Sequence, residues 1–154
     1  MSQIDFIVDQ LKLAFDGEAW HGPALMEILA DVDAATAAAR PISTAHSIWE
    51  LVLHLTAWEQ VIITRIVEGK AVTLSDEKNF GHIDHISDPA WQQATAALQR
   101  THQELIKVAS QLSESRLTDP VPGKDYNLLF MLNGAVQHAA YHGGQIALLK
   151  RARA

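Results

Sequence analysis

The sequence predicts an all-α fold, a four-helix bundle with a long crossover loop between its second and third helices. Two observations predict this fold class. Apolar residues recur at steps of three and four along nearly the whole chain, as they do on one face of an α-helix. No run of residues alternates convincingly between apolar and polar types, as a half-buried strand would. Four amphipathic helices bury their apolar faces most simply against one another, so we expect a bundle.

The first half of the chain contains two of the four long helices. Ser2 is a suitable N-cap for the first helix, and Gly17 is suitable after its last turn. Residues 18–43 read as short helical pieces and turns, and the second long helix is predicted over about 44–68, before Gly69. The apolar positions of the first helix step by four, three and four: Ile4, Val8, Leu11 and Phe15.

The second half contains the crossover loop and the other two long helices. Residues 70–87 are polar and aperiodic, and they read as the loop. Asp88 then suits an N-cap, with Pro89 in the first helical position. Prolines and a glycine break the pattern within 113–125, and the last helix is predicted over about 127–151. The apolar stripe of the third helix is Trp91, Ala94, Leu98, Thr101, Leu105, Val108 and Leu112.

Length and composition restrict the functional class. The chain has 154 residues, which fits one domain spanning residues 1–154. Twelve basic against eighteen acidic residues give a net charge of −6, which argues against a nucleic-acid partner. There is no cysteine, so disulfides, thiolate metal sites and cysteine nucleophiles are excluded. Neither a signal peptide nor a membrane span is recognisable, so we expect a cytoplasmic protein without a membrane partner.

Three histidines interrupt apolar stripes that should face the core. His138 and His142 lie one turn apart in the middle of the last helix, and His54 lies inward on the second helix. Burying three imidazoles costs free energy unless each finds a partner. A shared divalent metal would partner all three rings, whereas hydrogen-bonded core histidines are the alternative that spacing leaves open. The stripe of the last helix is Leu128, Met131, Ala135, His138, His142, Gln145 and Leu149.

Two further polar residues share the faces of these histidines. Glu50 lies one turn before His54 and is interpreted as its hydrogen-bond acceptor, as a group that moves protons, or as a first-turn glutamate that favours the helix N-terminus. Gln145 lies three residues after His142 and is predicted to hold a histidine ring or position a bound ligand. The alternative for Gln145 is packing against a neighbouring helix, because two glycines precede it.

The other histidines carry weaker signals. His21, beside Trp20 in a turn region, is a candidate for lining a pocket that binds a cofactor or substrate. Four others are predicted to be solvated: His46, His82, His85 and His102. For His46 the alternative is a place near the helix mouth, because it lies two turns before His54. The chain lacks H-E-x-x-H, G-x-S-x-G, P-loop and G-x-G-x-x-G motifs, so no common hydrolase or nucleotide-binding signature applies.

At these residues the chain resembles the DinB/YfiT-like superfamily of metal-binding helical bundles. The segments that carry the resemblance are HSIWELVLHLTAWE at 46–59 and GAVQHAAYHGGQIALLKRA at 134–152, with AWHG at 19–22 and RPIS at 40–43. The resemblance implies a divalent metal, one of zinc, nickel, iron or manganese, held by His54, His138 and His142. It also implies a homodimer. Characterised members include transferases and isomerases that use a low-molecular-weight thiol.

Ligand chemistry favours a catalytic over a structural metal. Three neutral histidines leave coordination positions open and the charge of the ion uncompensated. Two enzymes follow: a transferase that activates a low-molecular-weight thiol against a small-molecule electrophile, or a hydrolase that activates water. The resemblance favours the transferase. A non-catalytic dimer that binds a metal or a small molecule is the alternative from another class.

Overall fold

The computed structural model describes residues 1–153, and within this range its regular secondary structure is helical with no strands, which confirms the all-α prediction. A single 3-10 turn at Glu114–Thr118 precedes the last helix. None of the described helices combines the length and apolarity that a membrane span requires. The seven α-helices of this range are α1 (Gln3–Asp16), α2 (Leu25–Leu29), α3 (Ala34–Ala38), α4 (Ile48–Glu68), α5 (Asp76–Phe80), α6 (Asp88–Ser110) and α7 (Leu128–Arg153).

Serine hydroxyls cap the beginnings of three of the long helices, α1, α4 and α6. The Ser47 hydroxyl accepts from the N–H of Glu50, and the Glu50 carboxylate accepts from the N–H of Ser47, so α4 begins later than predicted. At α6 the N-cap is Ser87, and the prediction of Asp88 as the cap is wrong. Asp88 is instead the first helical residue, and its carboxylate accepts from the N–H of Ala34 at 3.1 Å, which holds α3 against α6.

The apolar core consists of two clusters, one toward each end of the bundle. The first joins the beginnings of α1 and α7 to the ends of α4 and α6, as shown by Ile4, Ile7, Ile62, Ile66, Leu105, Val108, Leu128 and Leu132. The second joins the opposite ends, with Phe15, Ile48, Val52, Trp91, Leu98, Ile146 and Leu149. This order shows that α4 and α6 run in the same direction and that α1 and α7 run against them.

The shared direction of α4 and α6 explains the long crossover. A chain leaving the end of α4 must return along about 30 Å of helix before α6 can begin beside it. Residues 69–87 make this return, and the predicted crossover is therefore confirmed. The crossover is not entirely a loop, however, because it contains the short helix α5, which packs on α4.

Polar side chains separate the two apolar clusters. On α7 the first cluster ends at Ala135 and the second begins near Ile146. On α6 the break falls between Leu98 and Leu105. We call the residues at this level the polar layer; they are His54, Glu59, His102, His138 and His142, and of these only His138 is not fully buried.

Candidate metal centre

The rings of three histidines meet at one point in the polar layer. Nε2 of His138 lies 3.0 Å from Nε2 of His54 and 2.9 Å from Nε2 of His142. Within the described part of the chain, this is the one group of three or more histidine or acidic side chains placed to hold a metal ion. The helix faces that were predicted to point inward, with His54 on α4 and with His138 and His142 on α7, therefore meet between these two helices.

Hydrogen bonds fix the protonation of two of these rings. Nδ1 of His54 lies 2.8 Å from the backbone carbonyl oxygen of Asn79, which can only accept, so the proton is on Nδ1. Nδ1 of His142 donates in the same way to Oε1 of Gln145 at 2.6 Å. In a neutral imidazole the other nitrogen then carries an unprotonated lone pair, so Nε2 of both rings is free to coordinate a metal ion.

Proton counting shows that these atoms fit a cation. Nε2 of His138 can carry at most one proton, so it can donate to His54 or to His142 but not to both. In one of the two contacts, therefore, both nitrogens present a lone pair and no proton lies between them, although they are 3.0 Å or less apart. A tetrahedral ion with metal–nitrogen distances of 2.0–2.1 Å would separate its ligands by about 3.3 Å. The donor set therefore fits a divalent metal.

Burial keeps all three rings neutral. It lowers the pKa of His138 to about 3, helped by the neighbouring rings of His142 and His54. Burial also lowers the pKa of His54 and of His142, although the hydrogen bonds to Asn79 and Gln145 oppose this. Because neutral imidazole is the form that binds metals, the cluster needs no deprotonation at neutral pH.

The crossover supplies residues that sequence reasoning missed. Besides accepting from His54, Asn79 uses its side-chain oxygen to accept from Nε1 of Trp58 at 2.9 Å. Phe80 stacks on the His54 ring, with centroids 4.2 Å apart. Gly81 ends α5 with a positive φ of 63°, where a side chain would be strained. The only sequence signal for this contact was one phenylalanine before a glycine in a polar stretch.

Glu50 lies at the start of α4 rather than against the cluster. One carboxylate oxygen accepts from Ser47 and the other from the Arg40 guanidinium. Burial raises the pKa of Glu50, but these hydrogen bonds and the Arg40 charge lower it overall. The predicted contact with His54 is absent, since that ring uses Asn79. Glu50 therefore stabilises the helix start, and its role in moving protons remains a prediction.

Gln145 and His21 end in different environments. Gln145 contacts the His142 ring, as the interpretation that it holds a histidine requires. His21 is exposed in the turn between α1 and α2, beside the fully exposed Trp20. It lies outside the two cavities that adjoin the cluster. Its predicted role in binding a cofactor stays a prediction. Three other histidines are exposed as predicted: His46, His82 and His85.

The prediction that His102 is exposed is wrong, because only 4% of its surface is accessible. Its Nδ1 donates to the Glu59 carboxylate at 2.8 Å, and its ring stacks on Phe15 with centroids 3.7 Å apart. His102 is four residues after Leu98 and three before Leu105, so the spacing allowed an inward position. The predicted stripe passes through the neighbouring Thr101 instead.

Two cavities flank the three histidines. The first, of about 400 Å³, includes His54 and His138 in its wall and extends along α4 to Arg65. The second, of about 460 Å³, includes His142 and Gln145. We call them the Arg65 cavity and the Gln145 cavity. Small molecules can therefore approach the cluster from two sides.

Comparison with protein families adds one finding. The family model for the DinB superfamily matches residues 19–146, which is most of the chain and includes all three histidines. No curated protein matches the sequence.

Proposed function

Because the chain belongs to the DinB superfamily, we propose that it is a metal-dependent enzyme of the thiol-S-transferase type. In this proposal His54, His138 and His142 would hold a divalent metal that favours loss of the proton of a low-molecular-weight thiol to solvent. The thiolate sulfur would then bond to a small electrophile as the leaving group of that electrophile departs. The observation that carries the proposal is the close approach of three Nε2 atoms. Two of these atoms present an unprotonated lone pair, because the proton of each ring is on Nδ1. A closed structural site would use four protein ligands.

The chemistry divides between the bound ion and the chain. A divalent ion with three neutral ligands supplies positive charge that favours the thiolate form of a bound thiol. The chain fixes the ligand rings: Asn79 holds His54, and Gln145 holds His142. Phe80 covers one face of the His54 ring and limits the access of water from that side. The two cavities give the thiol and the electrophile separate space.

Elemental analysis followed by turnover assays tests the proposal. Protein purified without an affinity tag should contain about one zinc, nickel, iron or manganese ion per chain, since imidazole suits several of these metals. A panel of electrophiles should then be consumed only when a low-molecular-weight thiol is present. His142→Ala is the matched control and should lack both the metal and the turnover.

Other results would identify the alternatives. Consumption of an ester or amide without any thiol would indicate a hydrolase that activates water, and it would contradict the transferase. A full complement of metal with no turnover across the panel would indicate a non-catalytic metal-binding protein. Full metal occupancy in the His142→Ala variant would contradict the ligand assignment.

We also propose that the protein is a cytoplasmic homodimer. The cytoplasm keeps low-molecular-weight thiols reduced, as the reaction requires. Exposed apolar side chains on the outer face of α7 support self-association, namely Phe130, Tyr141 and Leu148, each about two thirds exposed. Light scattering at micromolar concentration should give twice the mass of the 16.9 kDa chain. A monomer would contradict the dimer and leave the proposed activity untouched.

A further inference from the structure

Arg65 is a buried cation without an anionic partner. Only 3% of its surface is exposed, and no carboxylate within residues 1–153 pairs with it. Its Nη1 donates to the Tyr126 hydroxyl at 3.2 Å and its Nη2 to the carbonyl oxygen of Val72 at 2.7 Å. Its Nε is buried and has no hydrogen-bond partner. Buried charges are normally paired, because desolvating an isolated one is costly.

The end of α4 compensates this charge only in part. Arg65 lies in the last helical turn, where the macrodipole carries roughly half a negative charge. Two neutral acceptors and a partial charge leave the guanidinium short of a full counter-charge. An anionic ligand would supply one, and arginine binds carboxylates through its planar fork of donors.

The Arg65 cavity connects this cation to the histidine cluster. His54, Trp58, Ile62 and Arg65 line it from one face of α4, and the Cα atoms of the first and last are about 16 Å apart along the helix. The rest of the wall is mostly apolar, with Phe130, Met131 and Ala135 from α7. Phe130 is 64% exposed, so the cavity reaches the surface there.

We propose that the Arg65 cavity binds a small molecule with an apolar body and a terminal carboxylate, the carboxylate held by Arg65 and Tyr126. Since Tyr126 accepts from Arg65, its own O–H remains available to donate to the ligand. The other end of the molecule then lies at His54 and His138. This assignment rests on the proposed function, because it names the class of substrate that would bind beside the three histidines. It makes Arg65 a residue that determines substrate specificity.

Calorimetric titration with hexanoate and its neutral isostere hexanamide tests this assignment without a known substrate. Metal-loaded wild-type protein should bind hexanoate at least about tenfold more tightly than hexanamide, as a hydrogen bond to a charged group implies. Arg65→Gln should remove this preference. Tyr126→Phe, which loses one hydroxyl, should weaken hexanoate binding and leave hexanamide binding nearly unchanged. Equal affinities for the two probes in the wild-type protein would overturn the assignment, whether or not the Arg65 variant folds.

The His142→Ala variant separates this inference from the metal-dependent activity. If Arg65 holds the carboxylate, the preference for hexanoate should persist in that variant although its metal is lost. If the preference instead persists in Arg65→Gln and disappears in His142→Ala, the carboxylate binds the metal, and the assignment to Arg65 is wrong. Absence of thiol-dependent turnover in the metal-loaded wild-type protein, with its preference for hexanoate intact, would contradict the proposed function alone.

Discussion

The polar layer contains two groups of buried histidines, and the ring nitrogens of the two groups find different kinds of partner. In the three-histidine group, nitrogen lone pairs face one another, and a single cation can satisfy all three rings. In the pair on α4 and α6, the Nδ1 of His102 donates to the Glu59 carboxylate, so a donor meets an acceptor. A buried histidine therefore does not by itself indicate a metal site. The informative observation is what the second ring nitrogen faces.

The two groups also differ in what they leave unsatisfied. The three-histidine group lies between two cavities, so ligands can complete it. The Glu59–His102 pair leaves one oxygen of Glu59 and Nε2 of His102 buried without a partner in the described structure. Such atoms cost free energy in the folded state. We therefore expect the first group to bind a metal ion and the second to affect fold stability, and four predictions test this division.

The largest effect on stability is expected from His102→Ala. This change leaves the Glu59 carboxyl buried without its hydrogen-bond donor, and breaking a buried pair costs about 3–5 kcal/mol of unfolding free energy. The double variant Glu59→Met, His102→Leu, which buries no charge, should recover most of this loss. Urea denaturation measures both. If the single variant also lost its metal, the division between the two groups would be wrong.

His142→Ala is expected to lose metal affinity while the fold remains, which is the reverse of the effect of His102→Ala. Losing a metal ligand should lower metal affinity by more than the roughly 100-fold that the loss of an outer hydrogen-bond partner can cost. The helical signal should remain, since both apolar clusters are intact. Metal content and circular dichroism measure the two quantities. His82→Ala, at an exposed crossover position, is the matched control and should keep its metal.

A smaller effect is expected from Gln145→Leu, which keeps roughly the side-chain volume but removes the acceptor for Nδ1 of His142. We expect metal affinity or turnover to fall by about tenfold, with little change in thermal stability. A drop in stability with unchanged metal affinity would show instead that the amide is needed for packing.

The smallest effect is the pH dependence of stability at Glu59. Burial raises the pKa of this carboxyl above its ordinary value of 4.5, although the His102 hydrogen bond opposes the rise. The folded state then binds the proton more tightly than the unfolded state does. The associated stability is fully present below pH 4.5 and is lost as pH rises through the folded pKa.

Each unit by which the folded pKa exceeds the unfolded one contributes about 1.4 kcal/mol. Denaturation at a series of pH values should show this loss in the wild-type protein and a flatter profile in Glu59→Gln. Identical profiles for the two proteins would contradict the raised pKa.

Periodicity predicted the parts of the structure that depend on one helix at a time. It located the long helices and the inward faces of His54, His138 and His142, because an apolar stripe shows which side of a helix is buried. It could not show that the three rings converge, since convergence depends on how α4 and α7 pack. It also could not choose between Thr101 and His102, which both fit the spacing on α6.

The contribution of the crossover was not predictable from local patterns. Asn79 and Phe80 contact His54 across 25 and 26 positions in the sequence, and α5 is too short to show an amphipathic pattern. Glu50 illustrates a different limit. Its position in the first turn suited both a cap and a contact with His54, and only the capping geometry separated these alternatives.

The small buried surface of α5 has a consequence for how fast the proposed metal would exchange. This helix has five residues, none of them fully buried, yet it provides the acceptor that orients His54. Segments with little buried surface open at low free energy while the core stays folded. Opening of α5 would free the His54 ring to rotate without disturbing α7, and we expect the proposed metal to exchange by this route. Amide hydrogens of α5 should then exchange much faster than those of α4 and α7, and a bound metal should slow them selectively.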